Sequence, residues 1–158
     1  MIFRQILAVD LQQEKLELAS EYDAIPVDAA HCDAVEEIRR LTRGRGVDVA
    51  LEMIGLHTTM NQTVQALGVM GRAVIVGISR APLEVDPYAT LIGHEAEIIG
   101  SNDHLLQELP LLVDMARRKI LDTSRVVSQI LPLDAARINQ RLDDLETFTS
   151  DVRAVIIP

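Results

Sequence analysis

Short aliphatic runs alternate along the chain with stretches in which apolar residues return every three or four positions. "ILAVD" (6–10) reads as a strand, and "LQQEKLELASEY" (11–22) as a helix with Leu11, Leu16 and Ala19 roughly on one face. "AIPV" (24–27) is a short strand whose Pro26 suggests a sheet edge. "DAVEEIRRLT" (33–42) predicts a helix with Val35, Ile38 and Leu41 inward. Asp33 stands at its N-cap, with Glu36 placed to complete a capping box, and "RGRG" (43–46) stops it. "VDVALEMIG" (47–55) is almost continuously apolar, as a strand of a parallel sheet buried on both faces requires. "HTTMNQTVQALG" (57–68) predicts a helix with Met60, Val64 and Leu67 inward, closed by Gly68. "RAVIVGI" (72–78) and "EAEIIGS" (95–101) are two more strands. "HLLQELPLLVDMARRKI" (104–120) is a long helix lined inside by Leu105, Leu109, Leu112 and Ala116, which Pro110 should start, kink or split. The end differs: a strand "VVSQILPL" (126–133), an amphipathic helix "DAARINQRLDDLETF" (134–148) and a strand "VRAVII" (152–157).

Strands and helices alternating at these lengths predict βαβ units and a parallel sheet, an α/β fold. The chain has 158 residues, 48% of them apolar and 25% charged, which suits one soluble globular core. Its net charge is −9 with no basic cluster, which argues against a nucleic-acid partner, since phosphate binding needs concentrated Lys and Arg. The lone Cys32 forbids an internal disulfide and points to a reducing compartment. No apolar run approaches the roughly 18 residues of a membrane span, and "MIFRQILAVD" is not a signal peptide, so the cytoplasm is the expected location.

Asp10 raises the question of function. An acid closing a strand can accept hydrogen bonds from the adenosine ribose of a dinucleotide, and its charge would repel a 2′-phosphate; the same acid can simply cap the next helix. The glycine loop that cradles the phosphates should lie about 20 residues before such an acid. Gly44 and Gly46 precede the strand "VDVAL", and Gly68 and Gly71 precede "RAVIV". A phosphate cradle needs the opposite order, strand then glycines then helix, so both pairs read as helix-stop and turn glycines. His31, Cys32 and Asp33 are neighbours, but one cysteine and four histidines on separate elements do not make a convergent zinc set. Ser79, Ser101 and Ser128 lack a nucleophile elbow or a neighbouring histidine, which disfavours hydrolase chemistry.

"ILAVDLQQEKLELA", "GRGVDVALEMIG", "GRAVIVGI", "EAEIIGS" and "DVRAVII" occur in the order seen in the zinc-type medium-chain alcohol dehydrogenases, and the chain resembles the later half of such enzymes over nearly its whole length. The resemblance implies a Rossmann-type parallel sheet flanked by helices that lacks its first βα unit. Residues 1–125 would be a partial NAD-binding domain, and 126–158 the strand–helix–strand that returns to the catalytic domain. It implies cofactor-binding roles residue by residue. Asp10 and Lys15 would meet the ribose. Ile54, Gly55, Gly77, Ile78, Ser101 and Asn102 would line the nicotinamide side at three strand ends. Arg153 would pair with the pyrophosphate. The triplet "GHE" (93–95) carries a zinc-binding step elsewhere in that family but here stands outside that context, so no metal ligand is expected in this chain.

The resulting expectation is the coenzyme-binding part of an NAD-dependent, zinc-type alcohol or polyol dehydrogenase, inactive by itself because zinc ligands and proton relay belong to the missing half. A non-catalytic nucleotide-binding or assembly module, or part of a zinc-free quinone reductase relative, are the alternatives. In the strand order 3-2-1-4-5-6 the missing strand is central, so its two neighbours must re-pair, swap between chains or become poorly ordered. Exposed apolar edges lead to the expectation of a homo-oligomer, and the resemblance implies a dimer paired edge to edge near "EAEIIGS".

Overall fold

The computed structural model describes residues 5–102, 105–122, 126–146 and 153–158. They fall into two compact units, residues 1–103 and 104–158.

In the first unit, β1 (Leu7–Asp10) and β2 (Ile25–Asp28) pair in parallel, with α1 (Gln13–Glu21) as the crossover between them. Leu16 of α1 and Val27 of β2 are fully buried, so this small unit has its own apolar contact. Among the described residues β2 pairs only with β1, so Pro26 sits on an edge there, where its missing N–H can be tolerated. α2 (Ala34–Leu41) follows, capped by Asp33, whose Oδ1 accepts the Glu36 N–H at 2.9 Å. Gly44 and Gly46, with φ of 82° and 80°, stop it in the left-handed conformation that glycine adopts freely.

β3 (Val47–Glu52), β4 (Leu67–Ile75) and β5 (Glu97–Gly100) form a second parallel sheet in that order, with α3 (His57–Gln65) between β3 and β4. Its core is Val64, Leu67 and Ala73, packed by Val47, Ala50, Leu83, Val85, Ala96 and Ile98. α3 stops before Gly68. β4 starts at Leu67 and carries a bulge: Val47 faces Leu67 but Val49 faces Arg72. Gly68 is thus a strand residue, not a helix stop. A Cβ there would lie 2.5 Å from the Arg45 carbonyl oxygen, so its bareness serves a backbone-to-backbone contact.

Other expectations also change. β3 is not buried on both faces: Leu51 and, just beyond it, Met53 are each 63% exposed. The long helix is divided into a 3-10 turn (Leu106–Glu108) and α4 (Leu109–Arg117), with Pro110 in the first turn of α4, where no N–H is needed. Leu105, Leu109 and Leu112 are exposed instead of lining an inner face. A π-helical turn, Pro87–Ile92, has no counterpart in the sequence pattern; Asp86 caps it by accepting the Tyr88 and Ala89 N–H groups. In the second unit β6 (Gln129–Pro132) and β7 (Ala154–Ile157) pair in parallel, with α5 (Ala135–Glu146) between them in the chain.

β1 and β3 do not pair with each other. A groove of about 930 Å³ lies between them, lined by Gln5, Ile6, Leu7 and Val9 on one side, Val47–Ile54 on the other, and residues of α2 and α3. Arg39 of α2 donates to the carbonyls of Gln65 and Leu67, at 2.9 Å each, and to that of Gly44 at 3.2 Å, fastening α2 to the end of α3.

Candidate functional site

The ends of β3, β4 and β5 are tied together by one acid and a short set of backbone bonds. Glu52 closes β3 and is 2% exposed. Its Oε1 accepts the N–H groups of Ile54 at 3.0 Å and Gly55 at 2.8 Å, and the Thr59 hydroxyl at 2.6 Å. Its carbonyl accepts the N–H groups of Val76 at 2.9 Å and Gly77 at 3.1 Å, beyond the end of β4. The Ser101 N–H donates to the Ile75 carbonyl at 2.9 Å and ties the end of β5 to the same place. Oε2 of Glu52 is buried and has no hydrogen-bond partner among the described residues.

The two glycines at this edge make the tie possible. Gly55 has φ of 86°, and a Cβ on it would strike the Ile78 carbonyl. A Cβ on Gly77 would lie 2.5 Å from Glu52 Oε2 and 2.7 Å from the Gly55 Cα. Their bareness is thus used by each other's backbone. Ile54 and Ile78, 57% and 94% exposed, are left as an apolar ledge beside them. The structure therefore brings Ile54, Gly55, Gly77, Ile78 and Ser101 together, with Asn102 next in the chain, at the carboxyl edge where open parallel sheets bind ligands. Sequence reasoning missed Glu52. The available signal was an acid inside the otherwise apolar run "VALEMIG".

Asp10 closes β1. Its Oδ1 accepts the Gln12 N–H at 2.9 Å in the turn before α1, which itself has no side-chain cap, so this bond shapes the turn and does not cap the helix. Oδ2 has no protein partner among the described residues. Asp28 lies opposite Asp10 on β2 and is bonded to His31 Nδ1 at 2.8 Å. That bond, helped by the Ala30 N–H, holds the Asp28 carboxyl below the ordinary carboxylate range against a smaller opposing effect of desolvation. Lys15 is half-buried in the first half of α1. Arg153 is exposed and belongs to the second unit, where its carbonyl accepts the Ser128 N–H at 2.9 Å and hydroxyl at 3.1 Å.

These residues fit part of a dinucleotide. A free carboxylate oxygen suits a ribose diol, and the ledge suits a flat ring. In the turn from β3 through Gly55 to α3, the Ile54 and Gly55 N–H groups are already taken by Glu52 Oε1 and are not offered to a phosphate. Zinc does not fit: no group of three or more His, Cys, Asp or Glu is placed to hold a metal ion among the described residues, and Cys32 Sγ is turned to the Asp28 carbonyl at 3.0 Å. No helix among the described residues is long and apolar enough to cross a membrane.

Known proteins are similar to this chain. An NAD-dependent alcohol dehydrogenase of Sulfurisphaera tokodaii is 30% identical over 97% of this chain and 43% of its own length. The (R,R)-butanediol dehydrogenase of Bacillus subtilis is 32% identical over 82% of this chain and 37% of its own length. The crystal structure of an alcohol dehydrogenase from Aeropyrum pernix superposes with a TM-score of 0.85 at 35% identity, covering 98% of this chain and 43% of that one. The chain thus spans less than half the length of these relatives and matches their C-terminal, cofactor-binding part. A profile of the zinc-binding dehydrogenases matches residues 2–117, from β1 through α4, and the chain belongs to that family.

Proposed function

We propose that this chain is the coenzyme-binding part of an NAD-dependent alcohol or polyol dehydrogenase and does not turn over by itself. The observation that carries the reading is the joined carboxyl edge of β3, β4 and β5, built by Glu52, Gly55 and Gly77 in a chain of this family. In the complete enzyme the nicotinamide would accept or give the hydride. The residues here would do the holding: Asp10 and Lys15 at the ribose, Ile54, Gly55, Gly77, Ile78, Ser101 and Asn102 along the ring, and Arg153 at the pyrophosphate. The carboxylate of Asp10 disfavours a 2′-phosphate, so NAD is preferred to NADP.

Titration of the chain with NADH, read by nicotinamide fluorescence, tests the reading. Weak saturable binding is expected, lost on Asp10→Ala and unchanged on Val69→Lys, which lies on β4. Equal affinity for NADPH, or no loss on Asp10→Ala, counts against it. An alcohol-dependent rise in NADH absorbance from the zinc-loaded chain would overturn the proposed inactivity.

We also infer a homodimer, supported by the free outer edge of β5 at the end of the β3–β4–β5 order. Sedimentation velocity tests it, and a concentration-independent monomer would remove it. A cytoplasmic location goes with this reading, and fractionation of source cells checks it.

A further inference from the structure

The segment that follows Ile78 is fastened to α3 by His57 and Asn61, which stand one turn apart on that helix and are both half-buried. His57 Nδ1 lies 2.7 Å from the Pro82 carbonyl oxygen, and its Nε2 lies 3.1 Å from Asn61 Nδ2. The Glu84 N–H donates to Asn61 Oδ1 at 3.1 Å. These contacts fix one another's direction. A backbone N–H can only donate, so the Asn61 oxygen faces Glu84 and its amide nitrogen faces His57. The Pro82 carbonyl can only accept, so the imidazole proton sits on Nδ1 and Nε2 accepts from Asn61. With that tautomer every donor in the relay meets an acceptor.

This latch has a definite place to act. Ile78 leaves the candidate site between two anchors. Before it, the Val76 and Gly77 N–H groups are bonded to the Glu52 carbonyl. After it, Pro82 is held by His57 and Glu84 by Asn61, while Leu83 and Val85 pack against the core. Between the anchors run residues 78–81, where the Ala81 N–H is turned inward to the Ser79 hydroxyl at 3.1 Å. The Ile78 side chain is 94% exposed, so packing does not orient it. Its direction is set by the backbone on either side. The same backbone lies so close to Gly55 that a Cβ there would strike the Ile78 carbonyl.

We propose that His57 and Asn61 are positioning residues for the candidate site. They fix the course of the chain from Ile78 to Pro82 and so hold the Ile78 side of the ledge against the nicotinamide end of the dinucleotide. Neither touches the ligand. The inference rests on the dinucleotide reading above and deepens it, because it predicts an effect on one end of the ligand alone. The adenosine end is assigned to Asp10 on β1, which belongs to a different sheet from β3, β4 and β5.

The test titrates the 158-residue chain with NADH and, separately, with ADP, both by calorimetry. ADP keeps the adenosine and the pyrophosphate and lacks the nicotinamide riboside. His57→Phe removes the ring donor and acceptor, and Asn61→Leu cuts the relay from its other side. His57→Gln restores both roles, since its amide can donate to Pro82 and accept from Asn61. His57→Phe and Asn61→Leu should each weaken NADH binding about fivefold, the worth of one ordinary hydrogen bond, and leave ADP binding unchanged. His57→Gln should bind NADH as the wild type does. Amide exchange at Glu84 should quicken in Asn61→Leu. Unchanged NADH affinity in both broken-latch variants, equal loss of NADH and ADP, or no rescue by His57→Gln would each overturn the proposal while leaving the dinucleotide reading in place. A wild-type chain that binds neither ligand removes that reading and the proposal with it.

Discussion

Glu52 and Gly77 occupy each other's space. The Glu52 carbonyl accepts the Gly77 N–H at 3.1 Å, while its carboxylate Oε2 stands 2.5 Å from where a Gly77 Cβ would be. Gly77→Ala must therefore push either the carboxylate or the Gly55 backbone aside. We predict a destabilisation of about 1–3 kcal/mol by urea unfolding. Glu52→Ala should cost about 3 kcal/mol, because it strands the Ile54 and Gly55 N–H groups and the Thr59 hydroxyl. Glu52→Gln keeps an acceptor at Oε1 and should cost less than Glu52→Ala. Equal loss in the two variants would show that side-chain volume, not the acceptor, holds the edge.

Arg39 joins two helices through carbonyls alone, without an acidic partner at these contacts. A planar fork can reach Gly44, Gln65 and Leu67 at once, and an ammonium cannot. Arg39→Lys is predicted to behave nearly like Arg39→Ala, each losing about 1–3 kcal/mol. Hydrogen exchange should quicken at Ala66 and Val47, since the Val47 N–H is bonded to the Ala66 carbonyl at 3.0 Å. Full rescue by lysine would reduce Arg39 to a simple positive charge.

Asp28 and Glu37 have carboxyls held below the ordinary range, Asp28 chiefly by its bond to His31 and Glu37 chiefly by its bonds to Arg40. Depressed acids stabilise the fold fully above the unfolded carboxylate range, near pH 4. That contribution is lost as the pH falls through their lower folded values. His31→Ala should move the Asp28 titration upward, toward the ordinary range, and leave Glu37 where it is. Carboxyl carbon NMR across the acid range checks both; an unmoved Asp28 would remove His31 as the cause.

Cys32 is exposed yet its thiol is pushed up, first by partial desolvation and then by the charges of Glu37, Asp28 and Asp33. Only the thiolate is a strong nucleophile. Iodoacetamide should thus alkylate it slowly at pH 7, with the rate rising at a higher pH than for an ordinary thiol. Glu37→Gln should bring that rise to lower pH. An unshifted profile in the wild-type chain would contradict the electrostatic account.

Much of this was legible in the chain because local chemistry decides it. The period of "ILAVD" and "LQQEKLELASEY" and the cap at Asp33 depend on residues a few positions apart. The bulge in β4 was not legible, because it arises where Gly68 meets Arg45 across the sheet. Nor was the exposure of Leu51: an apolar strand implies cover on both faces, yet among the described residues Leu51 is left 63% exposed. At the candidate site Gly55 and Gly77 were singled out through the family resemblance as lining the nicotinamide side, whereas Glu52 was passed over. Its role depends on Gly55, Thr59 and Gly77 arriving from three different segments.

The groove between β1 and β3 also bears on how the chain folds. Each strand pair described joins strands that are consecutive in the chain, from Leu7 with Ile25 to Gln129 with Ala154. No pairing waits for a distant partner, so loop closure is short throughout and search times are correspondingly brief. The expected refolding is fast, with β1–β2 and β3–β4–β5 free to form in either order. Stopped-flow refolding should therefore show one fast phase, and a dominant slow phase would argue against this local order of folding.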